Sequence, residues 1–182
     1  MTLLDGQPDA NQGPRGRTMQ AHAPNQGATN EWLTPKPVFD ALGCEFDLDP
    51  SAPRVLPWWI PAKRHYSLPD DGLALPWEGR VWLNPPYSDV GRWMGRLADH
   101  GNGIALVFAR TDVRWWHSVV PRSSAVCFIE GRLSFIPGAG QEAKGNSGGP
   151  SVLVAYGADC AGIVAASGLG MTLPIPLTAK ML

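Results

Sequence analysis

Basic charge, cysteine and long apolar runs are all scarce in this chain of 182 residues. The net charge of −1 and the pI of about 6.4 exclude a strongly basic surface, so a polyanionic partner has to be bound by a local patch. Cys44, Cys127 and Cys160 are too widely spaced for a disulfide framework or a zinc site. No apolar run is long enough to span a bilayer or to form a signal peptide. We therefore expect a cytoplasmic protein that uses no metal and no membrane.

The composition that remains is that of one globular domain. Hydrophobic residues make up 44% of the chain and charged residues 17%, and this length suffices for one core. Residues 1–30 are rich in Gln, Asn, Gly, Pro and Ala, and they have too little apolar surface to offset the entropy of ordering. We therefore predict a disordered tail over residues 1–30, a domain over residues 31–157, and a C-terminal helix and tail over residues 158–182.

The ordered part alternates between strand-like and helix-like segments. Strands are predicted at residues 45–49, 80–83 and 103–109, and residues with the spacing of one helical face follow the second and third of these. Such an order predicts a parallel sheet with right-handed crossovers. With a further strand at Ser151–Tyr156, we predict an α/β fold whose mostly parallel sheet is flanked by helices and has an antiparallel C-terminal strand.

Helix ends are marked by residues with capping chemistry. Thr34 is expected to cap a helix that ends at Gly43, and Asp89 to cap the helix that follows it. Arg92 and Arg96 share one face of that second helix and are expected to lie in solvent.

Four further segments are interpreted from their composition. Residues 52–77 form a long irregular segment, of a length that indicates either a function or a hidden element. Residues 132–136 have the pattern of a strand, residues 137–150 that of a mobile loop, and the tail from Met171 that of a loosely packed segment.

The tetrad Asn84, Pro85, Pro86 and Tyr87 has unusual chemistry. Two prolines stiffen the loop and remove two backbone donors, which leaves carbonyl acceptors between a side-chain amide and an aromatic face. An amide oxygen and a carbonyl can both accept from one amino group while the ring stacks on the system that carries it. The tetrad is thus either a receptor for an amino group on a planar ring or a proline-rich turn after an edge strand.

Two pairs of acids precede the tetrad. Asp47 and Asp49 lie in the first strand, which ends at Pro50, and the carboxyl end of a strand is where open α/β sheets bind ligands. The alternative is a surface strand followed by a turn. Asp70 and Asp71 come before a glycine, where they either cap a turn or accept a hydrogen bond from the amino group of a ligand.

Taken in order, these motifs resemble the small phage-type DNA N6-adenine methyltransferases, which use S-adenosylmethionine. The resemblance covers roughly residues 30–156. It rests on seven segments: Glu31-Trp32-Leu33-Thr34-Pro35, Phe46-Asp47-Leu48-Asp49-Pro50, Asp70-Asp71-Gly72-Leu73, Trp77 with Gly79, Asn84-Pro85-Pro86-Tyr87, Ala109-Arg110-Thr111-Asp112 with Trp115 or Trp116, and Gly131-Arg132-Leu133-Ser134-Phe135.

The resemblance implies a Rossmann-like methyltransferase domain with a cofactor site and a substrate site. Residues implied to bind S-adenosylmethionine are Thr34 and Pro35 near its methionine part, Asp47, Asp49 and Pro50 in the cofactor loop, and Asp71, with Asp70 as the alternate, at the amino group of its adenine. The tetrad Asn84, Pro85, Pro86 and Tyr87 is implied to hold the target: the Asn84 side chain and the Pro85 carbonyl on N6, and Tyr87 on the flipped base. Transfer is then a direct displacement with no covalent enzyme intermediate.

Double-stranded DNA is the implied partner, bound by a monomer or a homodimer of a phage or prophage protein. Candidate phosphate contacts are Lys63, Arg64, Arg110, Arg132 and Lys144, each of which is otherwise an ordinary surface cation or a member of an ion pair.

The chain departs from the usual methyltransferase pattern in two places. Asp49-Pro50-Ser51-Ala52 stands where a glycine-rich cofactor loop is usual, and no acid ends a second strand to take the ribose hydroxyls, which leaves the sheet short of a strand. Three other functions stay open: methylation of cytosine N4, methylation of glutamine N5 in a protein, and DNA binding by an inactive relative.

Overall fold

The computed structural model describes residues 32–55, 57, 59–67, 69–137 and 148–176. In chain order the strands are β1 (Trp32–Leu33), β2 (Phe46–Asp49), β3 (Ala62–His65), β4 (Val81–Leu83), β5 (Gly103–Phe108), β6 (Ala125–Ile129), β7 (Ile136–Pro137), β8 (Ser151–Tyr156) and β9 (Gly170–Pro174). The helices are α1 (Lys36–Leu42), α2 (Val90–His100), α3 (Arg114–Val119) and α4 (Ala158–Ala166). The predicted N-terminal tail and most of the predicted mobile loop lie outside the described residues.

Seven of these strands form one sheet in the order β3-β2-β4-β5-β8-β6-β9. Strands β3, β2, β4 and β5 are parallel, whereas β8 is antiparallel to both β5 and β6, and β9 is antiparallel to β6. Strands β1 and β7 pair with each other in a separate antiparallel ribbon. The prediction of an α/β fold of the Rossmann-like methyltransferase type, with a mostly parallel first half and an antiparallel C-terminal strand, is confirmed.

Helices cover both faces of the sheet because its central strands are apolar on both sides. All six residues of β8 are buried, as are the first five of β5. Helices α1 and α4 pack on one face through Val38, Phe39, Leu42, Cys160 and Val164. Helices α2 and α3 pack on the other through Val90, Trp93, Met94, Leu97, Trp116 and Val119. The core is therefore two apolar layers divided by the sheet.

Strand β2 carries an irregularity that controls where its acids point. The backbone N–H groups of Asp47 and Leu48 both donate to the Arg80 carbonyl, at 2.8 and 3.4 Å, so two residues of β2 oppose one residue before β4. This arrangement is typical of a β-bulge, which shifts the side-chain alternation by one position. Accordingly, Phe46 packs in the core layer of α1 and Leu48 in that of α2, although their spacing predicts a single face.

Residues 52–77 contain a hidden element, as one of the two expectations for this segment had it: the edge strand β3, which lies parallel to β2 and supplies the strand that the sequence lacked. Two other predictions about this part of the fold are wrong. The segment Gly170–Pro174 is also an edge strand, paired with β6, rather than part of a loosely packed tail. Of residues 132–136 only Ile136 belongs to a strand, and that strand pairs with β1 outside the main sheet. The domain boundary at residue 157 stays a prediction.

The helix ends follow the predictions only in part. Gly43 ends α1 with φ of 59°, as predicted, but α1 begins after Pro35, and Thr34 makes no capping hydrogen bond. Asp89 is the residue before α2, yet its side chain does not cap that helix and instead pairs with Arg92 at 2.9 Å. Arg96 is not solvated: its guanidinium donates to the Leu73 and Leu75 carbonyls, and it lies 4.9 Å from the centre of the Trp77 ring.

Candidate functional site

A cavity of about 210 Å³ opens at the carboxyl ends of β2 and β4, where the chain leaves the sheet. Four predicted cofactor-binding residues line it, together with all four residues of the tetrad: Thr34, Asp49, Pro50 and Asp70, and Asn84, Pro85, Pro86 and Tyr87. The other lining residues are Trp32, Leu33, Ser51, Ala52, Pro53, Ile60, Tyr66, Ser67, Gly72, Trp82 and Trp93. Residues predicted for two different ligands thus share one cavity.

Asn84 follows β4 directly and is held at both its side chain and its backbone. Its Nδ2 donates to the Trp32 carbonyl at 2.7 Å, and its own carbonyl accepts from the Ser51 hydroxyl at 3.1 Å. Because the Trp32 carbonyl can only accept, the nitrogen of the amide has to face it. The Oδ1 atom accepts no hydrogen bond from any described residue, which leaves an acceptor for a ligand in the cavity.

The Tyr87 ring is fixed from behind by the end of β5. Its hydroxyl oxygen accepts a hydrogen bond from the Phe108 backbone N–H at 2.8 Å, and its ring stacks on that of Phe108, with 4.7 Å between centroids and 17° between planes. Burial raises the pKa of the Tyr87 hydroxyl, which stays neutral, although Arg110 acts in the opposite direction. Tyr87 is 37% exposed, so an aromatic surface remains for a second flat group.

Asp49 places a buried carboxyl in the same cavity. The residue is 3% exposed, and its carboxylate is hydrogen-bonded by one neighbour, Ser51, whose backbone N–H donates to it at 3.1 Å. Burial raises the pKa of Asp49 from 3.8 to about 7, while Ser51 lowers it. A buried carboxylate with one weak partner is costly by itself. Its position indicates that a donor or a cation of a ligand completes its environment.

Thr34 adds a buried hydroxyl to the same cavity. It is 2% exposed, and its hydroxyl has no hydrogen-bond partner within the described ranges. Buried hydroxyls are usually satisfied, so an orphan that lines a cavity points to a ligand. S-adenosylmethionine carries an ammonium group, hydroxyls and an adenine amino group, and these donors fit the Asp49 carboxylate, the Thr34 hydroxyl and the Asp70 carboxylate of this lining.

One comparison with known proteins decides the family. The family model of DNA N-6-adenine-methyltransferase (Dam) matches residues 20–159, which is most of the chain. The chain belongs to this family. No curated protein and no solved structure matches it. The family is named for DNA adenine methyltransferase activity.

Three of the predicted cofactor residues do not line the cavity of this Dam-family protein. The Asp47 carboxylate accepts from the Arg80 backbone N–H and from Lys63, and these contacts lower its pKa. Asp71 caps a turn by accepting from the Leu73 N–H at 3.1 Å, and Pro35 is the residue before α1. Of the two alternatives, Asp70 lines the cavity and Asp71 does not, and the contact of either one with the cofactor stays a prediction.

Two glycines of the family pattern have a steric reason. A Cβ at Gly72 would lie 2.0 Å from the Pro50 carbonyl oxygen, so only glycine lets the loop that follows Asp71 approach the end of β2. Gly79 has φ of 70°, and a Cβ there would lie 2.2 Å from the Asp47 carboxylate. Both glycines allow the close backbone contacts that shape one side of the site.

The predicted phosphate contacts fall into three groups. Lys63 pairs with Asp47 at 3.1 Å and Arg64 with Glu78 at 3.0 Å, both on the exposed edge strand β3. Arg110 is exposed and close enough to Tyr87 to influence its pKa, and Arg132 is exposed in the segment before β7. Lys144 lies outside the described residues. Among the described members of this set, Arg110 is the cation whose charge acts on Tyr87 of the tetrad.

Three residues of the site went unassigned in the sequence. Trp32 occurs in a segment that carries the family resemblance, but only the ribbon of β1 and β7 brings its carbonyl to Asn84. Ser51 was seen as part of a substituted cofactor loop, and it bridges Asp49 to Asn84. Phe108 looked like an ordinary core residue of β5, and no local signal marked it as the partner of Tyr87.

Metal and membrane features are absent from the part of the chain that the structure describes. No group of His, Cys, Asp and Glu side chains there is arranged to hold a metal ion. No helix there is long and apolar enough to cross a membrane.

Proposed function

We propose that this protein transfers a methyl group from S-adenosylmethionine to N6 of an adenine that is extruded from double-stranded DNA. The observation that carries the proposal is that one cavity holds a free amide acceptor at Asn84, a stacking surface at Tyr87, a buried hydroxyl without a partner among the described residues at Thr34, and a buried carboxyl at Asp49. The first two suit an aromatic amine, and the last two suit the cofactor. Membership of the Dam family supports adenine as the base.

The tetrad activates the amine by accepting its hydrogens. Adenine N6 is a poor nucleophile because its lone pair is delocalised into the ring. When Asn84 Oδ1 and the Pro85 carbonyl each accept one N6 hydrogen, the nitrogen becomes more pyramidal and its lone pair more available. The same acceptors would stabilise the positive charge that develops on N6 as its bond to the methyl carbon forms and the carbon–sulfur bond breaks, after which N6 would lose one proton to solvent. Positioning supplies the rest of the rate acceleration.

Tyr87 binds the base by stacking and takes no part in proton transfer. Its hydroxyl is occupied by the Phe108 N–H and its pKa is raised, so it serves as neither acid nor base. Stacking on its exposed face offsets part of the few kcal/mol that extrusion of a base costs. The charge of Arg110 acts on Tyr87, which supports Arg110 as the proposed contact for a phosphate next to the extruded nucleotide.

Thr34, Asp49 and Asp70 are the residues that would hold the cofactor. When bound, S-adenosylmethionine supplies a methyl group activated by a sulfonium charge. Ionised Asp49 balances positive charge in the cavity, and its burial makes that charge effective because the surroundings have low polarity. The Asp49 to Ser51 to Asn84 chain of hydrogen bonds links the cofactor side of the cavity to the substrate side.

The test is incubation of the purified protein with methyl-labelled S-adenosylmethionine and unmethylated duplex DNA, followed by nucleoside analysis. We expect label on N6-methyladenine. Label on N4-methylcytosine or on added protein would assign the acceptor to one of the rival classes. Binding of cofactor and DNA without transfer would identify an inactive relative.

Two variants test the roles within the tetrad. Asn84→Ala is expected to lower turnover by at least about 100-fold, while the affinity for S-adenosylmethionine is unchanged. Tyr87→Ala is expected to weaken DNA binding, whereas Tyr87→Phe keeps the ring and serves as the matched control. Turnover of Asn84→Ala within a few-fold of wild type would refute the assignment of Asn84.

The proposal includes a biological setting. The resemblance to phage-type enzymes supports a phage or prophage protein that acts in the cytoplasm of a bacterial host, where its DNA substrate is found. Mapping N6-methyladenine in host and phage DNA with and without the protein tests this setting.

A further inference from the structure

We propose that the Trp32 carbonyl, held in the ribbon of β1 and β7, positions the Asn84 amide for methyl transfer. The inference rests on the proposed function, because it concerns the residue that receives the target amine. The contact joins two parts of the chain that are far apart in sequence, and it is short, at 2.7 Å between Nδ2 and the carbonyl oxygen. Neither atom belongs to the seven-stranded sheet.

The backbone of Asn84 and its side chain are restrained by different partners. Ser51 holds the Asn84 carbonyl, which fixes the loop but leaves the last side-chain torsion free. That torsion is broad and roughly two-fold for an amide, so the oxygen and nitrogen exchange places easily unless a neighbour distinguishes them. The Trp32 carbonyl makes this distinction because it has no hydrogen to offer.

The contact also specifies which residue type can work at position 84. The side chain has to donate to Trp32 at one end and accept from the substrate at the other, and a neutral amide does both. An ionised aspartate of the same shape only accepts, so it would place two oxygens against each other at the Trp32 carbonyl. A protonated aspartate again has one donor and one acceptor.

The ribbon is built to hold this carbonyl in place. Leu33 of β1 pairs with Ile136 of β7 and is buried, while Trp32 is 42% exposed and lines the cavity. Strand pairing thus fixes the Trp32 backbone although its side chain is open to solvent. Position 84 therefore receives its orientation from the segment that immediately precedes Thr34.

The experiment compares Asn84→Asp with Asn84→Ala at saturating cofactor and DNA, with each rate divided by that of wild type at the same pH. The ionisable groups around position 84 are the Asp49 and Asp70 carboxyls and the Tyr66 and Tyr87 phenols of the cavity lining, with Arg110 beside Tyr87. Division by the wild-type rate reduces the effect of these shared titrations.

We expect Asn84→Asp to be at least about 100-fold slower than wild type at about pH 8, where the new carboxyl is ionised. The ratio is expected to recover about tenfold as the pH falls to about 5.5, because the protonated carboxyl donates to Trp32 again. The ratio for Asn84→Ala should stay flat. An Asn84→Asp rate within threefold of wild type at every pH, or an equally flat loss for both variants, would overturn the proposal.

A second measurement requires neither catalytic activity nor a variant protein. In the wild-type protein labelled with ¹⁵N, exchange of the Asn84 side-chain amide protons with water is compared with that of Asn102, whose Nδ2 donates to no described residue. We expect exchange of the Asn84 protons to be at least about tenfold slower. Equal exchange at the two side chains would overturn the proposed contact, whereas absence of methyl transfer by wild type would refute only the proposed function.

Discussion

Asp47 and Asp49 lie two residues apart on one strand, and their surroundings are opposite. Asp47 is solvent-accessible, accepts from the Arg80 N–H and from Lys63, and has a lowered pKa. Asp49 is buried, accepts one hydrogen bond from Ser51, and has a pKa raised to about 7. The first carboxylate stabilises the fold where it stands. The second is retained at a cost to the fold, as expected of a ligand-binding group.

The bulge in β2 explains why Asp47 and Asp49 point in different directions. The backbone N–H groups of Asp47 and Leu48 share the Arg80 carbonyl, which shifts the side-chain alternation of the strand by one position. The Asp49 side chain therefore faces the cavity, whereas the Asp47 carboxylate lies against the turn at Gly79. Asp70 and Asp71 differ less: both carboxylates accept from a backbone N–H, of Ser67 and of Leu73, and only Asp70 also lines the cavity. In each pair, backbone geometry brings one acid to the cavity and keeps the other away from it.

The largest expected effect on stability tests the structural role of Asp47 by a substitution at Gly79, which lies against its carboxylate. Gly79→Ala is expected to lower the free energy of unfolding by about 3 kcal/mol, since a positive φ costs about 1 kcal/mol and displacing the Asp47 carboxylate loses charged hydrogen bonds of about 2 kcal/mol. Gly43→Ala is the control, because Gly43 also has a positive φ but open space around it. Urea unfolding measures both, and equal losses would contradict the role of Asp47.

The ionised Asp49 carboxylate is expected to lower the free energy of unfolding, whereas the Asp47 carboxylate raises it. Between pH 3.8 and about 7 the folded state keeps the Asp49 proton and the unfolded state loses it, so Asp49 lowers stability as the pH rises through this range. Asp49→Asn is therefore expected to gain about 2 kcal/mol at pH 8, after a cost of about 2 kcal/mol for its unpaired amide, and to lose about that cost at pH 3, where Asp49 is protonated in both states.

Urea unfolding of wild type, Asp49→Asn and Asp47→Asn at the two pH values separates the two acids. Asp47→Asn should be less stable than wild type at pH 8 and equal to it at pH 3, because a lowered pKa stabilises only the ionised form. Calorimetry should show that Asp49→Asn loses affinity for S-adenosylmethionine. A gain in stability without this loss would mean that Asp49 does not face the cofactor.

Substitutions at Asp70 and Asp71 are expected to give a smaller effect, on the affinity for S-adenosylmethionine. Asp70→Asn is expected to raise the Kd for S-adenosylmethionine about tenfold, because it removes one charged acceptor from the cavity lining. Asp71→Asn should leave this Kd unchanged and should only loosen the turn at Leu73. Calorimetric titration of both variants decides the order, and a larger effect of Asp71 would restore the role that the sequence suggested.

The features that sequence predicted well are those with strong local chemistry. The apolar run of β5, the helical spacing of α2 and the glycine that ends α1 all lie where expected, because burial, periodicity and positive φ act within a few residues. The tetrad was recognisable for the same reason. Its prolines and amide define its chemistry without any help from distant parts of the chain.

The features that it missed depend on contacts between distant segments. Strand β3 is short, polar and exposed, so it has no apolar pattern, and only its pairing with β2 makes it a strand. The choice between Asp70 and Asp71 depends on how Gly72 approaches Pro50. Arg96 looked solvated because its partners, the Leu73 and Leu75 carbonyls, lie more than twenty residues away along the chain.

The smallest expected effect comes from a substitution at Lys63. It distinguishes two assigned roles of this residue, the ion pair with Asp47 and a contact to a DNA phosphate. Its ion pair with Asp47 is exposed, so Lys63→Met is expected to cost less than about 1 kcal/mol of unfolding free energy, and less still in high salt. Arg64→Met removes the neighbouring pair with Glu78 and is the matched control. If Lys63 instead contacts a phosphate, the KM for DNA should rise and its salt dependence should weaken by about one counterion. An unchanged KM would leave Lys63 as the partner of the structural acid.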